Sequence, residues 1–561
     1  MNLGEAGFDA TQRSHLKPFV DELMTRDLSD VNSLKAWLLD QSVFAEHVSE
    51  ASSRLYVEMT CHTDDEDAKQ AYLDFVENVE PWLSEIGDAL NKRLINSPLI
   101  GELDAATYGV MIRDARADID IFREENIPLQ TENSKLGQQY NELCGAMMVE
   151  FEGEERTLQQ MSKILEETDR ERREAAWRVA ADRRLVDSEK VDGIFDKLLA
   201  NRHQIAKNSG FENYRDYIFV AKHRFDYSPL DCQAFHDAAA KCCIPLQHQL
   251  DADRKENLSL PNLRPWDMGV DTAGREPLRP FENVEDMVDG TSKMFHRMST
   301  KFGEMFDTLR DGQSLDLDSR KGKAPGGYQV QFDLIRKPFI FMNATGMQRD
   351  LETMVHESGH AFHSMLSANL PLIDHREPPI EFAEVASMSM ELLTHDYLDE
   401  FYSDEEANRA RREHLEGIIS LLPWVATIDA FQHWLYTHPG HSRAERTATW
   451  RSLRKRFGAD VDWTGLTDHS DIAWQRQLHL FSYPFYYIEY GIAQLGALQL
   501  WLQWLESESM ALENYENAMS LGGMVPLPEL FSAANLVFDF GPITVQRLID
   551  VVQKKLEFLP A

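Results

Sequence analysis

Residues 350–366 read DLETMVHESGHAFHSML, and the pentapeptide His356-Glu357-Ser358-Gly359-His360 within them sets the expectations for the rest of the chain. The stretch is rich in helix formers, and Asp350 and Glu352 fall at the positive end of the helix it predicts. Residues four apart on a helix share a face. His356 and His360 can therefore offer two imidazoles to one zinc ion, while Glu357 projects beside them toward a bound water. His363 lies in the same run, but seven positions from His356 amounts to roughly 10 Å along the axis, too far for one ion.

The segment that follows, PIEFAEVASMSMELL (residues 379–393), predicts a second helix with acids at Glu381, Glu384 and Glu391. One of these should complete the metal site. Glu384 and Glu391 share a face yet lie two turns apart, so only one of them can reach the ion. Upstream, residues 327–332 (GYQVQF) and 337–343 (KPFIFMN) read as extended, punctuated by Gly326-Gly327 and Pro338. They predict one small β-sheet just before the metal helix. A further group, His433, His438 and His441 in FQHWLYTHPGH, has no adjacent acid at the required spacing, and Pro439-Gly440 breaks the helix, so packing and capping explain it better.

Elsewhere helical periodicity dominates. Tyr72, Phe75, Val76 and Val79 form one apolar face closed by Pro81. Residues 155–186 carry Leu158, Met161 and Leu165 on one side and mixed charges opposite, predicting one long helix or a helical pair. The turn-rich stretch LSLPNLRPWDMGVDTAGREPLRPF (residues 258–281) reads as a linker or strap. We expect an N-terminal helical region at 1–145, a helical lobe at 146–260 and a metal-binding catalytic region at 261–561, with interleaved lobes.

The totals bound the class. A chain of 561 residues exceeds what one hydrophobic core usually serves, and 43% hydrophobic residues argue against extended disorder. The formal charge of −37 would repel a phosphate backbone, so nucleic acid is excluded as a partner, and most of that charge is expected on solvated helix faces. Five cysteines without CxxC spacing suit reduced thiols, and no apolar run approaches membrane-spanning length; the expectation is a cytoplasmic protein without a membrane partner.

The residues quoted above resemble the thimet oligopeptidase and oligoendopeptidase F family of zinc peptidases, whose metal helix reads HExGH. Three further stretches carry the likeness: residues 151–177 (FEGEERTLQQMSKILEETDRERREAAW), 380–393 (IEFAEVASMSMELL) and 478–501 (LHLFSYPFYYIEYGIAQLGALQLW). The similarity runs from about residue 145 onward. It implies a mainly α, two-lobed peptidase enclosing a deep channel, with His356, His360 and Glu384 holding one zinc ion and Glu357 as catalytic acid and base. Glu391 would orient a ligating imidazole.

The resemblance also implies that His479 and the tyrosines Tyr483, Tyr487 and Tyr490 stabilise the oxyanion. Here the chain departs by one residue in the interval from His479 to the first tyrosine, which leaves Tyr486 as an alternative in the register. On spacing alone, Tyr483, Tyr487 and Tyr490 form one helical stripe that would be read as core. The implied activity is endopeptidase cleavage of short unstructured peptides, with the strand ending near Asn343 pairing with the substrate backbone. The alternatives are a zinc exopeptidase and a non-catalytic peptide-binding protein.

Overall fold

The computed structural model describes residues 8–560 apart from 321 and 325. The chain is 71% helical, with two small sheets and no barrel among the described residues. A three-stranded sheet precedes the metal helix, as the apolar extended runs predict. Its strands are β3 (Leu315–Asp318), β4 (Tyr328–Phe332) and β5 (Lys337–Ala344), in the order β3-β5-β4. β5 pairs parallel with β3 and antiparallel with β4, with Tyr328 opposite Phe341. The strand containing Asn343 is thus the central one and both its edges are taken, so it cannot accept a substrate strand. Among the described residues the outer edges of β3 and β4 are paired with no further strand.

β5 runs almost directly into the metal helix, Gln348–Ser367. Gly346 makes the corner at φ +92°, where a Cβ would also meet the Phe281 carbonyl at 3.1 Å. Asp350 then reaches back: its Oδ2 accepts the backbone N–H of Thr345 at 2.7 Å and of Met347 at 3.0 Å. The two bonds tie the corner to the first turn of the helix at its N-cap, Met347, and an anion there also suits the dipole.

Two expectations upstream are corrected. Residues 155–157 are not helical: β1 (Met148–Phe151) and β2 (Glu154–Thr157) form a second, antiparallel sheet. The cause is the two-residue turn Glu152-Gly153, both at positive φ (56° and 82°), which matches the twist of a tight hairpin. Helix resumes at Leu158–Ile164 behind a Thr157/Gln160 capping box and then runs for 39 residues as Arg170–Asn208. Likewise Pro81 does not close the helix before it; Glu66–Asn78 ends first, and Pro81 stands in the opening turn of Glu80–Ile95, where its missing N–H costs nothing.

The turn-rich stretch at 258–281 holds one short 3₁₀ turn, Pro265–Asp267. It is strapped to the long helix by the fully buried Asp267, which accepts from Arg170 at 2.9 and 2.8 Å and from Arg173 at 3.3 Å. The N-terminal helices have their own core around Leu34, Trp37, Leu90 and Leu94, while the larger core extends from Ile121 to Leu556. Between the N-terminal helices and the metal helix lies a cavity of about 580 Å³, bordered by Gln41, Asp114, Gln329, His360, His363 and Glu381. No described helix is long and apolar enough to cross a membrane.

Candidate metal centre and active site

His356 and His360 lie one turn apart on the metal helix, their ring centroids 4.9 Å from each other. The second predicted helix forms as Ile380–Leu393, started by Pro378-Pro379, and crosses the first at close range. The crossing explains the glycine of the pentapeptide. A Cβ on Gly359 would stand 2.5 Å from Ser387 Cα and 2.7 Å from the Ala386 carbonyl oxygen. Only a residue without a side chain lets the helices approach so far, and that approach brings Glu384 to the histidines.

Glu384 Oε2 lies 3.4 Å from His356 Nε2 and 3.7 Å from His360 Nε2, and the ligand atoms of the three residues are all within 4.8 Å of one another. Two imidazole nitrogens and one carboxylate oxygen converging on a point are a donor set that zinc accepts, so the residues present fit the implied ion. His363 points elsewhere: it is 2% exposed, both ring nitrogens lack hydrogen bonds, and its ring packs near Phe382.

Glu391 supports the set from behind. Its Oε1 is 2.5 Å from His356 Nδ1, and its Oε2 is 2.9 Å from His414 Nε2, with His414 Nδ1 in turn 2.7 Å from His395 Nε2. This leaves His356 Nε2 to face Glu384. Burial alone would raise both carboxyls, but the imidazoles beside them outweigh it and hold Glu384 and Glu391 at about 2. Between these two acids His356 is raised well above its ordinary value, whereas burial lowers His360 to about 4. A ligating imidazole must be neutral, so metal loading would release the His356 proton.

Glu357 is buried, and burial pushes its carboxyl up to about 7 against the pull of His356 and of the Gln329 backbone N–H. A carboxyl poised there can hold or give up a proton near neutrality. The Gln329 contact also puts Glu357 beside the free edge of β4.

Across from the metal helix, His479 sits on the short helix Leu478–Ser482, and Tyr490 on Tyr487–Glu506. Tyr490 Oη is 3.4 Å from His479 Nε2, and Gln477 Nε2 is 3.0 Å from His479 Nδ1. Burial lowers His479 to about 4, which keeps the imidazole neutral. The single helical stripe expected for Tyr483, Tyr487 and Tyr490 does not form. Pro484 and a left-handed Phe485 (φ 62°) break the chain between the two helices, leaving Tyr483 as a cap. Tyr483 is 47% exposed and reaches Tyr56 of the N-terminal helices, while Tyr487 turns toward Trp424 and Gln477.

The break brings forward a different tyrosine. Tyr486 donates from its hydroxyl to Glu384 Oε1 at 2.6 Å, opposite the oxygen that faces the histidines. The structure therefore brings together His356, His360, Glu384, Glu357, His479 and Tyr490 and adds Tyr486, while Tyr487 keeps its ring 5.0 Å from that of His479 with its hydroxyl engaged by Trp424 and Gln477. The one-residue-short interval after His479 was the only sequence signal for Tyr486.

Comparison with known proteins agrees with this architecture over a longer stretch than the sequence resemblance covered. The solved structure titled "PZ peptidase A with inhibitor 2" superposes with a TM-score of 0.94 at 28% identity, covering 99% of each chain. Oligopeptidase PepF of Bacillus subtilis (strain 168) is 26% identical over 290 residues, 50% of this chain and 42% of that one. An oligoendopeptidase F homolog of Borreliella burgdorferi is 26% identical over 284 residues, 48% and 46% respectively. The chain thus aligns with less than half the length of these curated relatives. Residues 8–122 match the peptidase M3 N-terminal domain and residues 163–539 match peptidase family M3. With that family match spanning well over half of its length, the chain belongs to peptidase family M3.

Proposed function

We propose that the protein is a zinc-dependent oligoendopeptidase that hydrolyses internal bonds of short, unstructured peptides. The observation that carries this reading is the convergence of His356, His360 and Glu384 with the buried Glu357 beside an unpaired strand edge. Zinc held by His356, His360 and Glu384 would supply Lewis acidity toward a peptide carbonyl and lower the pKa of water in its reach. Glu357 accepts the proton of the attacking water and returns it to the leaving amine. His479 and Tyr490 are donors placed before reaction for the developing oxyanion, and Tyr486 acts on Glu384 instead.

An extended peptide adding to β4 would lay its backbone past Glu357, taking the role first expected of the strand ending near Asn343. The adjoining cavity is of ligand size, and its depth between the lobes favours flexible chains over folded proteins. Five free cysteines support a reducing, cytoplasmic setting.

The test is digestion of peptides acetylated at the N-terminus and amidated at the C-terminus, with products read by mass spectrometry. Internal cleavage that stops with a chelator and returns with zinc is expected. Cleavage confined to peptides with free termini would instead establish an exopeptidase, and no cleavage of any peptide by the zinc-loaded protein would overturn the peptidase reading.

A further inference from the structure

A second convergence of ligand atoms lies away from the metal helix. Cys232 is on the helix Pro229–Ala238, and Asp429 and His433 are one turn apart on Asp404–Thr437. Their sulfur, oxygen and nitrogen atoms also lie within 4.8 Å of one another, and the three residues are 0%, 0% and 7% exposed. His433 thus parts company with His438 and His441. Those two serve the helix end as expected, with His438 Nδ1 2.9 Å from the Trp434 carbonyl and His441 Nδ1 2.9 Å from the His438 carbonyl.

The cluster is not satisfied by its own hydrogen bonds. Asp429 Oδ1 has no partner, and neither ring nitrogen of His433 makes a properly directed bond, although Nε2 is 3.2 Å from Asp429 Oδ2. Leaving buried polar atoms without partners forfeits their hydration with nothing in return, so this interior position calls for an occupant. His236 stands just outside, its Nε2 2.8 Å from Asp429 Oδ2, in the place from which a histidine orients a ligating carboxylate.

We propose that Cys232, Asp429 and His433 bind a second divalent metal ion, zinc by preference. A thiolate with an imidazole and a carboxylate suits a borderline-soft cation and not calcium or magnesium, which demand oxygen donors throughout. Binding replaces the Cys232 thiol proton with the metal, and the proton leaves to solvent. The ion would clamp two helices behind the catalytic turn. The residue next to His433, Gln432, accepts the Phe485 backbone N–H at 2.6 Å, and the His433 ring packs 5.3 Å from Phe485. Phe485 is the left-handed residue that delivers Tyr486 to Glu384.

Cobalt distinguishes the two sites, because only a cysteine ligand gives thiolate-to-cobalt charge-transfer absorption in the near ultraviolet. The full chain, stripped by chelator and reloaded with cobalt, should show that absorption. It should persist in the His356→Ala/His360→Ala variant and vanish in Cys232→Ser. Zinc analysis should fall from two ions per chain in the wild type to one in the histidine variant, which keeps the second cluster intact. Absence of the band in the wild type, its survival in Cys232→Ser, or loss of all zinc from the histidine variant would each reduce the cluster to a His236–Asp429 hydrogen bond with His433 beside it. None of these readouts depends on turnover, so the peptidase assignment stands or falls separately.

Discussion

Glu357 and the two tyrosines near the metal centre divide the work in ways that substitution can separate. Glu357 touches no ligand atom position, so Glu357→Gln should keep the metal and lower kcat by about 10²–10⁴-fold, the range for a lost general base. Metal content and single-turnover rates measured on one preparation check both halves. Tyr486 holds Glu384 by a 2.6 Å hydrogen bond, whereas Tyr490 faces His479. Tyr486→Phe should weaken zinc binding by roughly 10–100-fold, as loss of a group supporting a ligand does. Tyr490→Phe should leave zinc affinity unchanged and lower kcat far more than it raises KM. Chelator competition and steady-state kinetics read the two effects; equal zinc affinity in the two variants would return Tyr486 to the oxyanion role.

His363 carries a prediction of pH-dependent stability. Burial lowers it to about 3 from an ordinary 6.5, so the folded state refuses a proton that the unfolded chain accepts. Its contribution is complete above pH 6.5 and is lost as the pH falls toward 3, at up to about 1.4 kcal/mol per pH unit. His363→Gln should flatten the decline of unfolding free energy between pH 6.5 and 5, measured by denaturant titration. An unchanged slope would mean that His363 protonates freely in the fold.

At the scale of elements, the metal centre depends on how closely two helices cross. Gly359→Ala would place a methyl group 2.5 Å from Ser387 Cα, and backbone atoms of a packed helix cannot yield as a flexible side chain can. The Ile380–Leu393 helix must move outward and carry Glu384 with it. The expected result is a folded protein with intact helical circular dichroism but at least about tenfold weaker zinc binding and a matching loss of turnover. The second crossing that matters is the broken one. Pro484 and Phe485 interrupt what would otherwise be one helix from Leu478 onward, and the interruption brings the Tyr486 hydroxyl to Glu384 while the Tyr487 hydroxyl is engaged by Trp424 and Gln477.

For the whole molecule, the charge of −37 is not confined to the outer surface. Asp374 and Glu377 both border the cavity beside His360 and have no ion pair among the described residues, while Arg113, Lys222 and Arg224 on the same walls are already engaged by acids. Glu377 is open to solvent at the cavity wall, and the desolvation there together with Asp374 and Asp333 raises its carboxyl above the ordinary value. An incoming cation would relieve that crowding. Peptides rich in Lys and Arg should therefore show higher kcat/KM than acidic peptides of equal length, and the advantage should shrink as ionic strength rises past ~0.1 M. A kcat/KM ratio that is flat with salt would locate the acidic charge on solvated faces alone.

The sequence by itself determined what repeats locally. Helical periodicity, the extended runs before residue 344 and the four-residue spacing of His356 and His360 each follow from backbone geometry within a few residues, and the structure has β4, β5 and the metal helix where those patterns lie. Local signals also misled where one turn outweighed composition, as at Glu152-Gly153, whose two positive φ angles turned a Glu- and Arg-rich stretch into a hairpin. What only the tertiary structure decided was how residues far apart in the chain meet. Glu384 and Glu391 were equivalent on helical geometry, and family resemblance favoured Glu384. The physical discriminator is the crossing at Gly359, which aims Glu384 at the Nε2 atoms and leaves Glu391 at His356 Nδ1. Tyr486 was legible only as an alternative in the register, and the Cys232–Asp429–His433 cluster not at all, for the same reason. A ligand set assembled from separate helices is written in their packing, and packing has no period along a chain.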